Sequence, residues 1–292
     1  MNSFKVFVSF LIVLFVCSCL RSGNTSLASN TIQIKGSDTI VNLIQDWSEN
    51  FIKKDPSFNI GITGGGSGTG FAALINGTCD IAMSSRKIEQ KEIELAKIKG
   101  IEPVEFKVGL DGLVLIVNKN NPISKLTLDQ IRDIFIGKIT NWKELGGDNL
   151  KIVILSRESN SGTNVFFKES VLRQNNKNSK EEFAVQSLMM PSSQAIYDEV
   201  RQNPNAIGYV GMGFVNTFVK SLAIARSENE GYVKANVQTV ADSSYPISRP
   251  LYLYTNGNPQ GIVNTFIDYA LSDEGQSIVL KEEFVPVNKV LS

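Results

Sequence analysis

Short apolar runs of strand length alternate with helix-patterned stretches along almost the whole of this chain, and that alternation restricts its fold more than any other feature. TIQIKG (31–36) reads as a strand, and Ile40, Leu43, Ile44, Trp47 and Phe51 then recur at the spacing of one helix face. NIGIT (59–63) repeats the strand, and FAALIN supplies a short helix that Gly77 is suited to stop. DIAM, LVLIV (113–117), KIVIL (151–155), AIGYV (206–210) and LYLYT continue the strand series. LTLDQIRDIF, SQAIYDEVRQN and the face Ile262, Val263, Phe266, Ile267, Leu271 continue the helical one. Such alternation predicts α/β sheets. A chain of 292 residues exceeds what one small core needs, so two lobes are expected.

Four segments lie just after strands, at the carboxyl edge where open α/β sheets bind ligands. They are Gly36-Ser37-Asp38-Thr39, Gly66-Ser67-Gly68-Thr69-Gly70, Ser84-Ser85-Arg86, and the stretch 157–163 within SRESNSGTNVFF. In the last, Arg157, Ser161, Gly162 and Thr163 crowd the start of a helix. Small residues admit a ligand to the backbone, a helix N-terminus offers unpaired N–H groups, and arginine adds a fixed cationic fork. Together these predict an anion site, although Ser161 or Thr163 would also serve simply as a helix cap. The glycine-rich segment is not a nucleotide loop. Counted from Gly65, the P-loop lysine position holds Phe71 and the next holds Ala72. Residues 68–73 fit the permissive G-x-G-x-x-A pattern, which is weak alone, and an exported chain has little access to a dinucleotide.

Composition removes whole classes of function. Lys plus Arg and Asp plus Glu both number 29, leaving no basic stripe for nucleic acid. There is no histidine, which excludes Ser-His-Asp catalysis and most zinc chemistry. The N-terminus places Lys5 before an apolar run at 6–16, too short for a comfortable membrane span, and reads as a secretory signal. Ser18 before Cys19, with Val16 three residues ahead of the cysteine, resembles a loose bacterial lipobox. Cys19 is therefore the expected lipidated residue, and bulky Val16 makes Cys17 the poorer acceptor. Residues 1–19 then form the signal and acylated cysteine, and the small polar stretch 20–30 a tether. Cys79 is left as a small buried apolar residue, with no disulfide framework around it.

GSDTI, GGGSGTGF, DIAMSSR and RESNSGT stand in the order and rough spacing of the PstS-type phosphate-binding proteins of bacterial ABC importers, and the resemblance covers essentially all of the mature chain. It implies a two-lobed type II periplasmic-binding-protein fold with the ligand in the cleft between lobes. Lobe 1 would comprise 31–112 and 250–292, and lobe 2 would comprise 113–249. It further implies a dehydrated phosphate held by Ser67, Arg157, Ser161, Gly162 and Thr163, with Thr39 giving its backbone N–H. One branch of that family carries Thr in the first motif and, in the third, an Asp that accepts the proton of hydrogen phosphate. Here Asp38 and Ser85 stand at those places, so carboxylate and hydroxyl look exchanged. Asp38 would be the acceptor and Ser85 a donor, unless Asp38 only caps the following helix. Ser37 and Ser84 are weaker candidates. Arg86 is expected to touch the anion, pair with Asp38, or lie in solvent.

The function so implied is that of a lipid-anchored, extracytoplasmic, monomeric receptor that delivers inorganic phosphate to the permease subunits of an ABC transporter. No cofactor, metal, nucleic acid or catalysis is expected. Two alternatives remain open at this point. One is a binder of sulfate, molybdate or an organic phosphate in the same fold. The other is a serine hydrolase using Ser67 or Ser161 with a lysine base, although no lysine lies in the four motifs.

Overall fold

The computed structural model describes residues 30–288. The signal segment, Cys19 and most of the tether lie outside the described residues. The chain opens with three parallel strands, β1 (Thr31–Gly36), β2 (Asn59–Thr63) and β3 (Ile81–Ser84), joined through α1 (Val41–Lys54) and α2 (Ser67–Ile75). Next come α3 (Gln90–Ile98) and the 16-residue β4 (Pro103–Asn118). Then follow β5 (Lys125–Thr127), α4 (Leu128–Phe135), β6 (Val153–Arg157), α5 (Gly162–Phe167), β7 (Leu188–Met190), α6 (Ser193–Gln202) and β8 (Ala206–Gly211). The chain continues through β9 (Val219–Ser221), β10 (Ala223–Ala225), α7 (Val237–Ala241), β11 (Ser248–Asn256), α8 (Gly261–Leu271) and α9 (Asp273–Lys281).

One sheet runs through the molecule in the order β2-β1-β3-β11-β4-β8-β6-β7, with β9 on β4 and a separate β5-β10 pair. The long β4 is its centre. Its residues 103–112 pair antiparallel with β11, and residues 113–117 pair with β8. β11 in turn pairs with β3. Two strands therefore cross from one half of the molecule to the other side by side, with Gly112 opposite Ser248. The β3-β1-β2 parallel strands stand on one flank and β8-β6-β7 on the other, which is the two-lobed α/β architecture the alternation predicts.

Local chemistry explains the elements. Leu43, Ile44, Trp47 and Phe51 of α1 are buried, and the Trp47 indole donates to Gly275 O of α9 at 2.8 Å, so α1 and α9 pack on one flank of the sheet. On the other flank Phe167 of α5 stacks on Tyr209 of β8, with ring centroids 4.1 Å apart. Two predicted boundaries move in informative ways. The strand expected at 151–155 runs from Val153 to Arg157, so Arg157 is held by a sheet and not by a loop. The helix expected from 71 starts at Ser67, and Gly66 before it takes φ of 93°, a left-handed conformation that glycine adopts without strain. The glycine-rich segment is thus the first turn of a helix. Cys79 is buried, and desolvation pushes its thiol pKa up to about 12, as suits an inert packing residue.

Candidate functional site

The four motifs meet where the two flanks of the sheet face each other. Arg157, at the end of β6, is 1% exposed. Its Nη2 donates to Asp38 Oδ2 at 2.6 Å and to Pro191 O at 2.9 Å, its Nη1 to Ser193 Oγ at 3.2 Å, and its Nε to Met190 O at 3.2 Å. These bonds fix the guanidinium plane, as planar anion recognition requires. Asp38 uses its other oxygen to accept the Gly65 N–H at 3.0 Å. Its carboxylate therefore ties the first motif to the glycine-rich loop and, across the cleft, to the fourth motif.

Asp38 does not cap the helix that follows. Ser37 Oγ accepts the Thr39 N–H at 3.3 Å and caps the single 3-10 turn Asp38–Ile40, while α1 begins without a side-chain cap. Ser161 is the N-cap of α5. Its Oγ accepts from the N–H groups of Thr163 at 3.2 Å and Asn164 at 3.4 Å, and Gly162 is the first residue of the helix. Ser67 opens α2, and its Oγ accepts the Ser85 N–H at 3.1 Å. A hydroxyl that accepts from backbone N–H keeps its own proton free to donate. Ser67 and Ser161 are both left in that state, buried, on opposite sides of the cleft.

The two sides touch closely. A Cβ on Gly162 would lie 2.2 Å from Ser67 Oγ and 3.0 Å from Ser85 Oγ, so only glycine allows α5 to approach α2 in this way. Thr39 Oγ1 and Thr163 Oγ1 hydrogen-bond each other across the cleft at 2.9 Å. Asn160 clamps the glycine-rich loop, accepting the Gly68 N–H at 2.9 Å and donating to Gly65 O at 2.9 Å. Ser85 Oγ is fully enclosed and has no hydrogen-bond partner. A buried polar atom without a partner costs on the order of 1–3 kcal/mol, and this one lies where α2 and α5 approach each other.

The weaker candidates sit elsewhere. Arg86 neither pairs with Asp38 nor lies in solvent. It forks onto Glu92 with two bonds of 2.7 Å, lies over the Phe71 ring, and organises the start of α3. Ser84 Oγ donates to Arg86 O at 2.7 Å and so serves the turn. Ser37, as the cap of Asp38–Ile40, also serves its own backbone. Among the described residues no cluster of His, Cys, Asp or Glu is arranged to hold a metal, and no helix is long and apolar enough to cross a membrane.

Two residues of the site were not foreseen. Arg249 on β11 donates through Nε at 3.0 Å and Nη2 at 2.9 Å to Asp111 Oδ2 on β4, and the two are direct partners in the sheet. It also donates to Thr163 Oγ1 at 3.0 Å and Thr39 Oγ1 at 3.2 Å. Burial raises the Asp111 carboxyl above its ordinary value and lowers Arg249, each against the pull of the other. The only trace of this pair in the sequence was a charged residue just ahead of each of the apolar runs 113–117 and 251–255.

The chain matches the PBP superfamily domain family over residues 23–274. It is 33% identical to the phosphate-binding protein PstS of Pseudomonas aeruginosa, covering 89% of this chain and 84% of that one. It is 32% identical to PstS of Bacillus subtilis, over 89% and 82% of the two chains. Among solved structures it resembles a phosphate ABC transporter substrate-binding protein of Clostridium perfringens with bound phosphate. That likeness has a TM-score of 0.79 and 37% identity and covers 88% of this chain and all of that one. A match over nearly the whole chain, together with four motifs meeting in one cleft, leaves no other assignment: the chain belongs to the PstS family of the PBP superfamily.

Proposed function

We propose that this protein binds inorganic phosphate in the cleft between its lobes and delivers it to the permease of an ABC-type phosphate importer. The observation that carries the reading is the enclosed, unpartnered Ser85 Oγ beside Gly162 and Ser67, at the seam that Arg157 and Asp38 bridge. Phosphate would receive the free protons of Ser67 and Ser161, the remaining Nη1 N–H of Arg157, and the Gly162 N–H at the start of α5. Asp38 keeps lone pairs beyond those used by Arg157 and Gly65, and accepts the proton of hydrogen phosphate, with Ser85 as a hydroxyl partner. Sulfate at neutral pH has no such proton, and a carboxylate facing it offers only repulsion.

The lobes of this reading divide at the crossing strands, 31–112 with 250–292 against 113–249, with phosphate holding the cleft shut. A hydrolase is disfavoured because Ser67 and Ser161 accept backbone N–H groups and have no basic partner. Cys19, acylated after signal removal, would anchor the monomer on the outer face of the membrane, and Cys19→Ala should yield unprocessed or unanchored protein. Finding mature wild-type protein wholly in the aqueous phase of a detergent partition would refute the anchor. For the site, calorimetric titration of the folded domain with phosphate, sulfate and p-nitrophenyl phosphate is the test. Heat with phosphate alone is expected, whereas sulfate binding or ester turnover would overturn the reading.

A further inference from the structure

The buried pair Asp111–Arg249 lies on the two strands that cross between the lobes, directly behind the cleft. Taking a carboxylate and a guanidinium out of water is expensive, and an apolar pair would fill such a place at no loss of stability. What the ions achieve is geometric. Asp111 takes Nε and Nη2 of Arg249 on one oxygen and the Met212 N–H at 3.0 Å on the other. The guanidinium is thereby fixed with one bond reaching Thr39 from the first lobe and another reaching Thr163 from the second. Arg249 thus belongs to the crossing strands and binds a hydroxyl from either side.

Proton bookkeeping gives this arrangement a consequence for the anion. The two threonine hydroxyls own two protons, and one of these is used in the bond between them. The hydroxyl that accepts this bond also accepts from Arg249, so both its lone pairs are filled and its own proton is left over. That hydroxyl therefore presents a donor with no free lone pair, the polarity an oxyanion needs, while its partner has spent its proton and keeps one lone pair. It does so only while both threonines rest on the one guanidinium, that is, with the cleft closed.

We propose that Arg249, held by Asp111, is a positioning residue for phosphate that couples cleft closure to the polarity of the Thr39 and Thr163 hydroxyls. The proposal rests on the phosphate reading given above. Because the network forms after the lobes meet, it acts on release: phosphate should leave faster when it is broken, while the association rate changes little. Arg249→Lys keeps the charge and loses the fork.

The test measures phosphate affinity by calorimetry and release by stopped-flow for wild type, Arg249→Lys, Thr163→Val and the double variant, with folding checked by circular dichroism. Arg249→Lys should weaken binding by at least about 10-fold, carried mainly by the off-rate, as truncation within a buried charged network does. Thr163→Val should cost at least about 5-fold less in the Lys background than in wild type, because the two act through one network. Additive losses, or a loss carried by the association rate, would overturn the proposal. Should Arg249→Lys not fold, Thr39→Val and Thr163→Val form the cycle instead, and additivity between them overturns it equally. Wild type that binds no phosphate defeats the phosphate reading and this proposal together. Wild type that binds while Arg249→Lys matches it defeats this proposal alone.

Discussion

Gly162→Ala isolates cleft closure from folding. Gly162 is the first residue of α5, and the added methyl would lie 2.2 Å from Ser67 Oγ and 2.9 Å from Ser67 Cβ. Contacts between such atoms are favourable at about 3.5–4.0 Å, so the overlap is about 1 Å or more. Turning the Ser67 hydroxyl away does not relieve it, because Cβ itself is too close, and the turn would sacrifice the bond from the Ser85 N–H. The atoms in conflict belong to opposite sides of the cleft, so the cheapest relief is to open it. Opening by that distance forfeits the Arg157–Asp38 bond of 2.6 Å and the Thr39–Thr163 bond of 2.9 Å. A charge-assisted bond is worth about 1.5–3 kcal/mol and a neutral one about 0.5–1.5, so about 2–4 kcal/mol of closure is lost. At about 1.4 kcal/mol per decade, phosphate affinity should fall roughly 30- to 1,000-fold. Helix preference does not oppose the change, since alanine is the better helix former. The thermal midpoint without ligand should therefore stay near wild type while calorimetry records the loss. An Ala variant that binds phosphate within about 3-fold of wild type, or that melts early by as much as it loses affinity, would refute the argument, because the methyl would then be met by core atoms and not by the closing cleft.

Other outcomes follow from the same geometry. Arg157→Ala should weaken phosphate binding by about 2–5 kcal/mol, since a fully buried cation leaves and Asp38 is stranded; unchanged affinity by titration would remove Arg157 from the site. Asp38→Asn keeps the shape and can neither repel sulfate nor accept as strongly from hydrogen phosphate, so competition calorimetry should show the phosphate-to-sulfate ratio falling by about 10-fold or more. An unaltered ratio in a folded Asn variant would make Asp38 solely the residue that orients Arg157.

The strands and helices of this chain were readable because each carries its own period, and in the β1-α1-β2-α2-β3 portion every element stands where its apolar pattern put it, with only the start of α2 lying four residues earlier. The helix start within 157–163 was readable for a similar reason. Serine before glycine at a helix start has few uses, and Ser161 does cap α5. Side-chain partners across the cleft carry no such local signal. Asp38 had three plausible roles in the sequence, and none of them named its partner Arg157, 119 positions away, whose guanidinium is delivered by a strand that ends two residues beyond the apolar run. Arg86 stood in the third motif as a weaker candidate, and Glu92, only six positions on, takes both its terminal nitrogens. Arg249 was the hardest to place. A lone arginine in an apolar strand reads as an edge or a surface position until its partner is known, and Asp111 becomes its neighbour only through the antiparallel register of β4 and β11. Local pattern fixes where the chain turns and packs, whereas which charges meet depends on how two distant strands are paired, and in this protein those two strands are the ones that cross between its halves.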